Sequence, residues 1–463
     1  MLVLWGSNQS AGPAPVSYWI TSINGNPTDP TNPYNISTKT IGVDSAGNSY
    51  SLAEYDDSSV ANYLVSKYDT NGAIQWQTQI TNGTTNGGGF YAGGTVDSSG
   101  NVYFPGVTNG SNGSWAAAII KLNSSGVLQW QAALEISISP PDVNYYSEFL
   151  ACAIAPSGTI YVVGDDDEND PTQTIYSGIV ANYSSSGALN FKFQLFDATL
   201  NYTASATGVC VDTSGNYSVL IYGGATLGAG NTDFNIVKFN SSNIIQWQKG
   251  FYPPALIPDY VINLGKICTD SSGNIYCCGQ IQDVSGSTTQ SYASLFKINS
   301  SGTILWAKQL AAPLGNYLNY GNITLDSSGN VYVIGGYYDA TTSTNIGVVC
   351  KYNSSGVLQW QRTLSSNTSN IAFSGIVIDS SGIMHISGSY NATNSTLTIK
   401  LPSDGSRTGT YGPYTYAASS FVDSALTLAS YSTTLTTANN FLYPLAPGYS
   451  VASSTLSTTV TPV

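Results

Sequence analysis

The densest group of ligating oxygens in this 463-residue chain is the run Asp165-Asp166-Asp167-Glu168-Asn169-Asp170. Oxygen-rich loops can hold calcium, and Asp165, Asp167 and Asp170 are the candidate ligands. The run lacks the central glycine and distal glutamate of an EF-hand loop, so a solvated acidic connection competes with the metal reading. Asp56-Asp57 is a shorter run of the same kind. The single histidine, His385, lies inside an apolar strand pattern where another copy of the sequence repeat has Tyr332. It reads as a packed substitute for tyrosine rather than the base of a nucleophilic site, which needs access and partners. One histidine also excludes a multi-histidine zinc site. The six cysteines fall within strand patterns and read as buried thiols. Cys277 and Cys278 are neighbours on a strand and should point to opposite faces, which disfavours a bond between them. No catalytic group is expected, and no cofactor apart from the calcium candidate. The remaining candidates are aromatic. Tyr91, Trp115, Tyr145, Tyr252, Tyr317 and Tyr337, with Tyr146, Tyr320 and Tyr338, fall in connections of variable length. Flat rings there would suit sugar rings.

These residues hang on a repeat. Turn aspartates at Asp44, Asp97, Asp212, Asp270, Asp326 and Asp379 are 53, 115, 58, 56 and 53 residues apart. The long gap contains one further copy, in which Ala155-Pro156-Ser157-Gly158 replaces the aspartate turn. Each unit predicts four strands, rich in β-branched and aromatic residues and bounded by Gly, Asn and Ser. In the sixth these are 322–325, 331–334, 347–352 and 357–361. Helical periodicity is absent from the repeats. Four strands repeated seven times predict an all-β, seven-bladed β-propeller over residues 38–411. Trp76, Trp130, Trp247, Trp306 and Trp360 recur four residues after a turn Gly or Asn, and Phe191 takes that place in the third unit. These large rings are expected in the wedges between blades. Asp and Asn suit the tight turns because they bond backbone two residues on, and Gly accepts positive φ. The uniform turns should share one face, and the variable connections, where binding usually resides, the other.

Asp-x-x-Gly-Asn-x-Tyr, Lys-x-Asn-x-x-Gly and the following Trp resemble the seven-bladed beta-propeller repeat family of bacterial and viral proteins. The resemblance covers about four-fifths of the chain. It implies the fold and is nearly silent on function, since propellers host many unrelated activities.

The ends depart from the repeat. Gly409 falls where the seventh unit should have its Trp, whereas 16–23, with Trp19, resembles 127–134. Residues 16–23 are therefore expected as the outer strand of the seventh blade, within an N-terminal arm spanning 1–37. Such a strand would close the ring or fill a neighbouring subunit. Residues 412–463 hold a single charge, Asp423, and alternate in the manner of strands, which predicts a β-rich extension for assembly by strand addition. Only 8% of residues are charged and the net charge is −13, which argues against nucleic acid and anionic membranes. No apolar run has the length of a membrane span. Residues 1–5 lack the basic flank of a signal peptide. The resulting expectation is a non-enzymatic structural subunit in a virion or outside the cell. It would assemble with itself through terminal strands into a phage tail or fibre, or an extracellular filament. The alternative is a monomeric module that grips a glycan or a host surface.

Overall fold

The computed structural model describes residues 17–24, 35–56, 61–82, 93–110, 114–136, 146–170, 173–197, 205–222, 234–254, 260–283, 290–313, 316–367, 369–390, 395–432, 435–438, 442–445, 449–453 and 458–462. Strands and turns make up these residues, with no α-helix among them. The turn chemistry is local. Asp326 Oδ1 accepts the Ser328 and Asn330 amides, each at 2.9 Å, and Oδ2 accepts the Asn330 side chain at 2.8 Å. Asn353 repeats this at the next turn of the same unit, taking the Ser355 and Val357 amides at 3.0 and 2.9 Å. Each turn joins antiparallel strands whose alternate residues point to opposite sheet faces.

Six sheets result. In the sixth unit the strands Tyr317–Leu325, Val331–Asp339, Thr344–Tyr352 and Leu358–Ser366 pair in sequence order. Units 1, 4 and 5 repeat this order. Units 2 and 3 share one ten-stranded sheet, joined by a parallel bridge from Trp115 to Tyr146. The sheet that holds Ile371–Ile378, Ile383–Tyr390 and Ser395–Pro402 takes its next strand from the other end of the chain: Trp19–Asn24 pairs with Lys400 through Ser395. Valine, isoleucine, leucine and tyrosine side chains of adjacent sheets interdigitate as separate cores. One combines Tyr217 and Phe239 of unit 4 with Tyr161 and Val180 of unit 3. The architecture is all-β and propeller-like.

The C-terminal segment lies along the outer edge of these sheets. Tyr414–Ala418 pairs with the outer strand of unit 6 and Val422–Ala425 with that of unit 5. Ala429–Ser432, Leu435–Ala438, Leu442–Leu445 and Tyr449–Ser453 follow on units 4, 3, 2 and 1. Thr458–Pro462 ends on Trp19–Asn24. The expected partner of this segment, another subunit, is thus corrected: its described strands pair with the chain's own sheets. An outer strand edge is a row of unpaired amides and carbonyls, and a chain that has one available nearby satisfies it.

Candidate functional site

The recurrent side chains form a repeated lock on the uniform-turn face. Trp76 Nε1 donates to the Ser124 carbonyl in the next unit at 3.0 Å, and Lys67 Nζ donates to the same oxygen at 3.3 Å. Trp130 and Lys121 do this to Ser185, and Trp306 and Lys297 to Ser354. Trp19 and Lys400 do it to Thr70. Trp247 donates to Ser300. Behind Lys67, Lys121 and Lys297, the strand tyrosine donates to the turn aspartate, as Tyr50 to Asp44 at 2.9 Å and Tyr276 to Asp270 at 3.0 Å. Trp19 is buried, and the other tryptophans are half-buried beneath the neighbouring turn. Trp360 lies against Gly405, but its indole nitrogen has no partner. Phe191 has no donor to offer, and its ring stacks on Phe193 at 5.7 Å.

The opposite face, with the variable connections, gathers a different set. The acidic run expected in a connection is mostly strand: Ile160–Asp170 continues straight through it and pairs with Gln173–Tyr183. Extended pairing carries Asp165 and Asp166 to alternate faces, and the side chains of residues 167–170 lie outside the described residues. This corrects the loop placement of Asp165, Asp167 and Asp170. Asp165 stands directly across the strand pair from Glu148. Its Oδ2 accepts the hydroxyl of Ser205, from unit 4, at 2.7 Å. Tyr146 donates its phenol to Glu148 Oε2. The Tyr146 ring lies 5.9 Å from that of Trp115, in unit 2. Three units thereby meet in one constellation: an aromatic pair beside two carboxylates. Asp166, buried, accepts from Gln194 at 2.6 Å on the other sheet face. Sequence reading singled out Trp115, Tyr146 and Asp165 but missed Glu148 and Ser205, which belong to no run or repeated phrase.

Among the described residues, the other aromatic candidates are not brought together with these. Tyr337 packs on Phe421 of the C-terminal segment at 4.9 Å and accepts from Asn316 at 3.1 Å. Tyr317 is exposed and near Tyr338, at 6.3 Å. Tyr252 is half-buried at the end of its strand. Tyr91 and Tyr145 lie outside the described residues. All six cysteines are free, so the vicinal pair is unbonded. Between the first strands of all units lies an axial cavity of about 240 Å3, lined by residues from Ile41 and Cys152 through Lys266 to Val377. Lys266 is half-buried there, and desolvation pushes its ammonium down to about 8 against the opposing pull of Cys152 and Cys278.

The chain is similar to several solved structures. The polysaccharide lyase Uly1 is 9% identical over 79% of this chain and 90% of that one, with a TM-score of 0.45. An α-L-arabinanase of Penicillium chrysogenum, complexed with arabinobiose, is 12% identical over 84% and 99%, with a TM-score of 0.41. An ulvan lyase is 10% identical over 68% and 76%, with a TM-score of 0.37. No curated protein matches significantly. The expectation of a structural subunit that assembles through its terminal strands is corrected here: the described strands meant to bind neighbours are paired within the chain. Residues 305–335, from the outer strand of unit 5 into the second strand of unit 6, match the family model described as SBBP, beta-propeller repeat, and the chain carries that repeat.

Proposed function

We propose that this protein is a closed ring of seven four-stranded blades that binds a neutral glycan chain on its variable-connection face and hydrolyses it there. Closure is supported by the bonds that join the first and last units: the Thr38 amide to Ser389 Oγ at 3.0 Å and Trp19 Nε1 to the Thr70 carbonyl at 3.3 Å. The order in which the C-terminal segment visits the sheets also supports it, since unit 1 is followed by the sheet containing Trp19–Asn24.

The observation that carries the function is the Trp115–Tyr146–Glu148–Asp165 constellation. Trp115 and Tyr146 offer ring faces on which a sugar can lie. Side chains directly opposite in an antiparallel pair share one face with Cβ atoms about 5 Å apart, so the two carboxyls can approach each other as a retaining pair requires. In this reading Glu148, oriented by Tyr146, gives its proton to the glycosidic oxygen as the C–O bond breaks. Asp165, oriented by Ser205, attacks the anomeric carbon. Water then displaces Asp165, losing its proton to Glu148. With a net charge of −13 and these acids at the site, the preferred chain is uncharged, because a polyanion would be repelled.

Reducing ends released from a panel of neutral polysaccharides test the reading. The wild type should release them, and Glu148→Gln and Asp165→Asn should each lower kcat by about a hundredfold or more. Trp115→Ala should mainly raise KM. Binding without release would reduce the protein to a glycan-binding module, and neither binding nor release would end the glycan reading altogether.

A further inference from the structure

At one junction the lock loses its aspartate, lysine and tryptophan together, and a cavity lies there. Between units 3 and 4, Ala155 replaces the turn aspartate, Asn182 replaces the lysine and Phe191 replaces the tryptophan. The turn that would meet the tryptophan ends in Asn243, with φ of 64°, where six other junctions have glycine against a tryptophan ring. Tyr217 turns to that residue, donating to Asn243 Oδ1 at 3.0 Å instead of to an aspartate. The coordinated loss opens a pocket of about 350 Å3 on the uniform-turn face. Its lining includes Tyr161, Asn182, Asn190, Ser157, Thr213 and Ser241, and no charged side chain. Asn182 is 5% exposed and its Oδ1 has no hydrogen-bond partner. A buried amide oxygen left unmatched is unfavourable, so this one is poised for a donor from outside.

We infer that this pocket binds one uncharged monosaccharide ring, at a site separate from the proposed cleavage site on the other face. The volume is at the small end of ligand pockets, which run from about 300 Å3 upward. The wall of amides and hydroxyls matches a ligand whose every edge carries a hydroxyl. Tyr161 lines the pocket, its largely buried ring tilted against that of Tyr217 at 4.6 Å. The missing lysine removes the cation that an acid or phosphate would require. Where lysine and tryptophan both bond the neighbouring turn, at Ser124, Ser185, Ser354 and Thr70, those two side chains take the corresponding place.

Saturation-transfer NMR and titration calorimetry with D-glucose, D-galactose, D-mannose, N-acetyl-D-glucosamine and L-arabinose test the inference. At least one should bind saturably to the full chain. Asn182→Lys, which restores the side chain of the other units, should weaken that binding about tenfold or more. Ser214→Trp, placed at the exposed rim, should block it without entering a core. Glu148→Gln should leave it unchanged, which separates this site from the proposed cleavage site. The inference is overturned if none of the five sugars binds, or if binding survives both pocket variants.

Discussion

His385 shows how one substitution in a repeat changes chemistry without creating a catalyst. It occupies the tyrosine place of the lock, and its Nε2 lies 3.0 Å from Asp379 Oδ2, where other units have a phenol. Its Nδ1 lies 2.8 Å from Ser49 Oγ in unit 1. Serine, histidine and acid are thus in line, but Ser49 and His385 are fully buried and no substrate can reach the hydroxyl. The trio joins the first and last units. Burial pushes the proton affinity of His385 below its ordinary value, helped by Lys400 and opposed by Asp379 and Asp44. Burial alone would raise the Asp379 carboxyl, yet its bonds to His385 and to the Ile383 and Ser381 amides hold it below the usual range. For both groups the unfolded chain takes up protons before the folded one, so stability falls on acidification. The His385 part begins near pH 6.5 and the Asp379 part near 3.8. Urea titrations should therefore show wild-type stability declining from pH 7 to 5. His385→Tyr, with the side chain of the other units, should be flat over that interval. A parallel decline in both proteins would disprove the assignment. That His385 packs was legible, because its place in the repeat is a tyrosine place. Its reach to Ser49, 336 residues away in sequence, was not.

The strand-and-turn unit is where sequence speaks most directly, because its determinants lie within a few residues of each other. Asp326 and Asn353 each organise a turn through amides two and four residues on, so the phrase and the structure coincide. The lock between units follows from the same phrase, although sequence alone gives the tryptophan a wedge rather than a specific carbonyl. Gly329 and Gly356 separate the two roles of turn glycine. Their φ angles are 75° and 77°, so alanine is strained equally at both. A Cβ at Gly329 would meet only Ser354 at 3.6 Å, whereas at Gly356 it would stand 2.7 Å from the Trp306 ring. Gly329→Ala should cost about 1–2 kcal/mol, the cost of left-handed backbone. Gly356→Ala should cost about 1–3 kcal/mol more, the cost of overpacking. Chemical unfolding measures both, and equal losses would show that the tryptophan yields freely. The candidate site was only half legible at this scale. Trp115, Tyr146 and Asp165 are conspicuous in the sequence, but Glu148 matters through its register opposite Asp165, which only the pairing of the two strands supplies.

At the scale of the molecule, the C-terminal segment decides how the sheets end. Its strands begin at 414, 422, 429, 435, 442, 449 and 458, steps of 8, 7, 6, 7, 7 and 9 residues. A step of seven extended residues spans about 23 Å, enough to pass from one outer strand to the next. The segment thus repeats with a short period against a scaffold that repeats about every 56 residues. The alternation of the segment was legible, whereas its partner was not, because a strand's hydrogen bonds carry no address in its sequence. Specific anchors supplement the backbone pairing. Asp423, the segment's one charge, accepts the Tyr352 hydroxyl at 3.3 Å and lies 3.6 Å from Lys308, tying units 5 and 6 together. Gln361 bonds Phe421 through both ends of its side chain. Deleting residues 419–463 would uncover the outer edge strands of six units, each a template for pairing with another chain. The truncated protein should have a lower Tm, and light scattering should show concentration-dependent association that the full chain lacks. Adding a synthetic peptide of residues 419–463 in trans should reverse both. If the truncated chain stays monomeric with an unchanged Tm, the segment does not seal the edges. If the full chain also associates, its outer edges are not sealed, and the cis pairing described here fails in solution.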